Sequence, residues 1–209
     1  MTLNVNGLFT GELIPSTTVG GCIEIFENVW PNPAETIKLI ERQCSDSESE
    51  VSWRKATTVG DGIFQDMRTN QILDITDLAQ IADNSVLQNI HNQFNILLLS
   101  ASLPYAKRHN IYEGLWHEGY SILKYKSGQE YKYHYDSNTQ MGRVISALVY
   151  LNDDYTGGHL EFSKFGIKIK PEPGMLILFP SNFAYSHRST PITSGIKYSL
   201  VTWIRDRQI

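Results

Sequence analysis

The sequence predicts a mainly β chain with helices in its N-terminal part, closed as a sandwich or jelly roll. Three observations predict it. After about residue 118 the chain becomes short runs of Tyr, Val, Ile and Leu. These are broken at roughly ten-residue spacing by Ser127-Gly128, Asp153-Asp154, Gly157-Gly158, Pro171-Glu172-Pro173-Gly174 and Pro191, which is strand-and-turn punctuation with no room for crossover helices. Antiparallel pairing follows, and eight or so such strands bury their apolar faces most economically by closing on one another. Second, helical periodicity is confined to the region before residue 110. Third, 209 residues with 41% hydrophobic content suit one domain with its own core, or a domain with a small appendage.

The elements follow in order. Residues 1–30 alternate loosely, and Gly20-Gly21 precede CIEIFENVW (22–30), an expected strand. Pro31-Asn32-Pro33 then introduces AETIKLIERQC (34–44), a helix with Ile37, Leu39 and Ile40 near one face and its acids early. SDSESE (45–50) reads as a solvated linker, and Asp74 could cap a short turn. Asn84 or Ser85 should cap a long helix over about 86–107, on which Leu87, Ile90, Phe94, Leu97 and Leu98 recur at three- and four-residue steps. Pro104 is expected to kink or end that helix. In the second half, Gly157-Gly158 permits a tight turn and close backbone approach. Pro173-Gly174 turns into MLILF (175–179), a core strand, and Phe162, Phe165 and Phe179 read as packing residues.

Composition excludes several classes. The charges, 18 basic and 22 acidic for a net −4, disfavour a nucleic-acid binder held by phosphate contacts. Cys22 and Cys44 make neither a disulfide framework nor a Cys-rich zinc site and fit a reducing, cytoplasmic setting. The N-terminal residues lack the basic and apolar regions of a signal peptide. Nowhere does an apolar run reach 18 residues, so no membrane span is expected.

The chemistry-bearing residues are histidines with one acid. In YKYHYDS (131–137), His134 and Asp136 lie two apart, and in a strand such residues share a face. His187, just beyond the 175–179 strand, is the best third ligand. Two imidazoles and one carboxylate make the facial triad of non-haem Fe(II) oxygenases, although the same set also serves hydrolytic zinc. Lys197 lies ten positions after His187 inside IKYSLVTWI (196–204). A lone ammonium there is costly unless it meets an anion. With Ser199, Val201 and Trp203 it looks into the domain if theirs is the inner face; otherwise it snorkels to water at a strand end.

The stretches KYKSGQEYKYHYD (124–136), RVISALVYLNDDYTGGHLEF (143–162) and IKPEPGMLILFPSNFAYSHRSTPITSGIKYSLVTWI (169–204) resemble the iron(II)- and 2-oxoglutarate-dependent dioxygenases, in their prolyl 4-hydroxylase-like branch. The likeness covers about residues 111–205. It implies a double-stranded β-helix (jelly-roll) core over 111–205, supported by helices and strands of 1–110 within one oxygenase domain. It implies His134, Asp136 and His187 as ligands of Fe(II), and Lys197 as the partner of the distal carboxylate of 2-oxoglutarate. Tyr125, Tyr150 and Trp203 would line the cosubstrate pocket, and Arg143 would lie on the substrate side. The cosubstrates implied are 2-oxoglutarate and O2, with ascorbate as an accessory reductant. The substrate implied is a prolyl residue in a peptide or protein, hydroxylated at C4. A free amino acid or another small molecule is the rival within the same chemistry, and a non-catalytic, metal-containing jelly-roll binding protein is the rival outside it. Residues 53–75 are expected to cover the iron mouth, and neither nucleic acid nor membrane is expected as a partner.

Overall fold

The structure, a computed structural model, describes residues 14–46, 51–56, 67–81, 84–111, 115–137 and 142–205. Its N-terminal part runs β1 (Thr17–Val19), β2 (Ile23–Phe26), α1 (Pro33–Ser45), β3 (Arg54–Lys55), β4 (Gln71–Asp74), α2 (Ile75–Ile81) and α3 (Ser85–Arg108). Strands then follow almost without interruption: β5 (Trp116–His117), β6 (Ser121–Tyr125), β7 (Tyr131–His134), β8 (Arg143–Tyr150), β9 (Thr156–Gly157) and β10 (Leu160–Phe162). The chain finishes with β11 (Ile167–Ile169), β12 (Leu176–Pro180), β13 (His187–Ser189), β14 (Ile192–Ser194) and β15 (Lys197–Arg205).

The strands form a jelly roll from two facing antiparallel sheets. The larger has the order β1-β2-β12-β8-β15-β6-β4-β3, with β5 also on β15, and the smaller has the order β11-β10-β13-β7. A two-stranded β14-β9 ribbon accompanies them. The larger sheet is covered on both faces, which is why its central strands read as continuous apolar runs. On β8, Ile145, Ala147 and Val149 join the core under α3, with Phe94, Leu97 and Ala101. The alternate residue Tyr150 packs between the sheets with Phe162, Ile177 and Phe179. β15 divides the same way: Tyr198, Leu200 and Ile204 face the helices, while Lys197, Ser199, Val201 and Trp203 line an internal cavity.

Both long helices form where their caps and periodicity place them. Asn84 caps α3, its side-chain oxygen accepting from the backbone N–H of Val86 and of Leu87 at 3.1 Å. Of the two outcomes expected at Pro104, ending the helix does not occur: Pro104 lies inside α3, which continues to Arg108. Packing overrides the lost backbone bond: Ala101, Tyr105 and Ala106 around it are buried, and the Tyr105 hydroxyl donates to the Cys22 carbonyl at 2.7 Å. At the helix end, the nearly inaccessible Glu24 of β2 accepts from Arg108 Nε at 3.0 Å and meets His109 Nε2 at 2.9 Å. Phe165 is also corrected. It is exposed, with its ring against Tyr185, whereas Phe162 and Phe179 are core residues. Cys22 and Cys44 are free thiols. Among the described residues no helix is long and apolar enough to cross a membrane.

Candidate metal centre

The site lies between the sheets, where β7 and β13 pair. Their register sets His134 opposite His187, with ring centroids 4.3 Å apart. Asp136 reaches the same point by a route the sequence pattern does not give. It lies past the end of β7 in a bend, rather than two along the strand. Its N–H and that of Ser137 both donate to the Ser181 carbonyl at 3.0 Å, which ties the bend to the end of β12. The carboxylate lies 3.4 Å from His134 Nε2 through Oδ1 and 3.7 Å from His187 Nε2 through Oδ2.

The donor set fits a divalent metal. His134 Nδ1 donates to the Lys132 carbonyl at 2.8 Å, and His187 Nδ1 donates to the Tyr185 carbonyl at 3.1 Å. A carbonyl can only accept, so each Nδ1 carries the proton and each Nε2 keeps its lone pair for the centre. One ligand atom from each of the three residues lies within 4.8 Å of the others. Burial, aided by the neighbouring His134, brings His187 down to about 4, so it is neutral as a ligand must be. Burial alone would push Asp136 up. A second proton on the His187 or His134 imidazole, wherever one is carried, and the hydrogen bond from the Ser146 hydroxyl outweigh it, holding the carboxyl well below its usual range.

Lys197 opens β15 opposite Tyr125 of β6. Only 2% exposed, it does not snorkel. Its ammonium donates to the Gly158 carbonyl at 2.6 Å and to Ser189 Oγ at 3.1 Å, and burial draws it down to about 7. Among the described residues it has no carboxylate partner. Tyr125 and Tyr150 flank it, with ring centroids 5.6 and 5.0 Å from Nζ, and burial raises both phenols, so they remain donors. A narrow cavity of about 40 Å³ brings together His134, Asp136, His187, Lys197, Tyr125 and Tyr150, with Trp203 also on its wall. A buried cation at one end and a metal-binding set at the other suit a ligand with two anionic ends.

At its mouth the cavity shares Arg68, Tyr131, His134, Asp136 and Trp203 with a groove of about 760 Å³. Arg143 lines that groove, but its charge is already engaged. It donates to both Glu118 oxygens at 2.9 and 2.6 Å and to the Asp136 carbonyl at 3.1 Å, lying 3.9 Å over the Trp203 ring. Of residues 53–75, Met67, Arg68, Ile72 and Asp74 reach the groove, while 57–66 lie outside the described residues. Sequence reasoning did not single out Arg68. Buried, with Nε donating to Asn70 Oδ1 at 2.8 Å, it lies 4.9 Å over the Tyr131 ring, which stacks on His134 at 3.5 Å. The sole signal available for it was its place in a segment expected at the mouth. Glu118 and Ser146 gave none.

Comparison with known proteins agrees with this geometry. Residues 120–205 match the model of the 2OG-Fe(II) oxygenase superfamily. A PKHD-type hydroxylase of Teredinibacter turnerae is 30% identical over 168 residues, covering 75% of this chain and 68% of that protein. A probable prolyl 4-hydroxylase 9 of Arabidopsis thaliana is 34% identical over 119 residues, which are 43% of this chain. The chain spans 41% of that relative's length, less than half. A prolyl hydroxylase from Trichoplax adhaerens, solved with a hypoxia inducible factor oxygen degradation domain peptide, shares the fold. Its TM-score is 0.72 at 19% identity, over 88% of this chain and 84% of that one. The paired imidazoles, the carboxylate, the buried lysine and these likenesses agree, and the chain belongs to the 2OG-Fe(II) oxygenase superfamily.

Proposed function

We propose that this protein is an Fe(II)- and 2-oxoglutarate-dependent dioxygenase that hydroxylates a prolyl residue of a peptide or protein at C4. The observation that carries the reading is the single cavity joining the His134–Asp136–His187 set to Lys197 and opening into the 760 Å³ groove. The chemistry supplied by bound Fe(II), 2-oxoglutarate and O2 is oxidative decarboxylation coupled to hydroxylation of a C–H bond, with succinate and CO2 as co-products. The protein's part is geometry and exclusion of water. His134, Asp136 and His187 hold the metal. Lys197 fixes the distal carboxylate of the cosubstrate by a charge-assisted bond, with the hydroxyls of Tyr125 and Tyr150 available beside it. Trp203 walls the cavity mouth, and Arg143, held by Glu118, supports the groove side. Orientation is thereby set before the reacting C–H bond arrives.

The groove favours a chain over a small enclosed molecule. It is lined by Tyr131, Tyr133, Tyr135 and Trp203, with Tyr133 and Tyr135 exposed, and aromatic-lined grooves suit the preformed extended helix of proline-containing segments. A hydroxylated small molecule such as free proline is the second reading, since the same metal centre would act on any C–H bond held before it. A panel of prolyl peptides beside free amino acids, incubated with Fe(II) and 2-oxoglutarate, tests the assignment. Succinate release with one oxygen gained on proline in peptides is the expected result. Inert peptides with a hydroxylated small molecule would refute the peptide assignment.

A further inference from the structure

The inward face of β8 carries Ser146, Leu148 and Tyr150, and Ser146 is 1% exposed among apolar neighbours. An apolar residue would pack there without a polar atom to satisfy, so the hydroxyl calls for a partner. Its partner is Asp136 Oδ2, at 2.6 Å. Behind it, Ser181 Oγ, equally buried, lies 2.8 Å from Ser146 Oγ. A carboxylate accepts only, so the Ser146 proton goes to Asp136. Ser146 must then accept from Ser181, which fixes the order Ser181 to Ser146 to Asp136. Ser181 grips Asp136 a second time through its carbonyl, which accepts the Asp136 N–H at 3.0 Å.

We propose that Ser146 and Ser181 are positioning residues, a two-hydroxyl relay that occupies Asp136 Oδ2 and presents Oδ1 as the single metal-binding oxygen. Without the relay the carboxylate can rotate or offer both oxygens, taking up a coordination position that the cosubstrate needs. Chained hydroxyls polarise one another, so the outer serine acts through the inner one. The inference rests on the assignment of His134, Asp136 and His187 as metal ligands, and its test separates the two.

The test titrates Co(II) alone into the metal-free protein of 209 residues, read by calorimetry and by visible absorption, for the wild type, Ser146→Ala, Ser181→Ala and the double variant. Ser146→Ala should bind about 10- to 100-fold more weakly, the range for outer partners of metal ligands, with an altered Co(II) spectrum. Metal-free thermal unfolding should fall modestly, because the buried Asp136 carboxylate and the Ser181 hydroxyl each lose a partner, and Co(II) affinity and spectrum are compared among the folded variants. Ser181→Ala should show a smaller loss, and the double variant should lose no more than Ser146→Ala. Wild-type affinity and spectrum in Ser146→Ala, or effects that add in the double variant, would overturn the relay. Should Ser146→Ala not fold, Ser181→Ala binding Co(II) as the wild type does would overturn it alone. Co(II) binding that survives His187→Ala would overturn the metal assignment and the relay with it.

Discussion

A buried ammonium surrounded by neutral oxygens and phenol rings costs stability until an anion reaches it, and at Lys197 that cost has a pH signature. Its folded-state value of about 7 lies below the ordinary 10.5, so between them the unfolded chain binds the extra proton. Stability of the metal-free protein should therefore rise with pH across this window, by up to about 1.4 kcal/mol per pH unit from this group, with the full penalty present below pH 7. Lys197→Met should flatten that rise, raise stability near neutral pH and lose stabilisation by 2-oxoglutarate. Urea unfolding across the window, with and without the cosubstrate, checks all three. The sequence displayed this residue and the metal-binding set because their chemistry rests on residue type at fixed spacings. Arg68, Glu118, Ser146 and Ser181 were hidden for the opposite reason. Each is one polar residue in an ordinary stretch, and its place shows only through a tertiary contact that no motif spacing announces, such as Glu118 with Arg143 or Ser146 with Asp136.

Elements carry the site through turns and caps. At Gly157 the backbone has φ +81°, and an added Cβ would lie 2.0 Å from the Pro191 carbonyl oxygen. Any side chain must push the β9–β14 ribbon apart and move the neighbouring Gly158 carbonyl that Lys197 engages. Gly157→Ala should thus weaken 2-oxoglutarate binding without altering a charge, and calorimetry on the metal-loaded variant measures it. In α3 the outcome runs the other way. Pro104 leaves one backbone carbonyl without its helical donor, so Pro104→Ala should stabilise the protein by up to about 3 kcal/mol, seen as a higher melting temperature. The segment after Asp74 read only as a short turn where α2 forms, but the start of α3 was legible, because Asn84 signals a cap through its own side chain. The persistence of α3 beyond Pro104 was not, because it depends on Tyr105 and Ala106 finding a sheet surface whose residues lie elsewhere in the sequence. Asp136 is the same lesson at a strand end: the two-residue spacing was right for convergence, yet a bend tied to Ser181 achieves it.

At the scale of the whole molecule, the larger sheet is a shared wall. Its helix side packs the main core beneath α3, and its other side meets the smaller sheet around His134, Asp136 and His187. The jelly roll was legible as alternating turns and apolar runs. The joining of β1 to β4 onto both edges of the larger sheet was not, because short edge strands carry weak periodicity. Since β7, β13 and β15 all contribute to the site, ligand binding should stabilise the entire fold. At 100-fold excess over the dissociation constant the gain is about 2.7 kcal/mol, visible as a rise in melting temperature with metal and 2-oxoglutarate together.

The most direct measurement of the central claim, that the His134–Asp136–His187 set and Lys197 form one cosubstrate site, is an anaerobic calorimetric titration of 2-oxoglutarate. It would use metal-free and Fe(II)-loaded protein, with His187→Ala and Lys197→Met alongside. The account predicts one equivalent bound per chain, tightly only when Fe(II) is present, with affinity lost in His187→Ala and weakened roughly ten- to a hundred-fold in Lys197→Met. Binding that ignores the metal, or Lys197→Met retaining wild-type affinity, would contradict it.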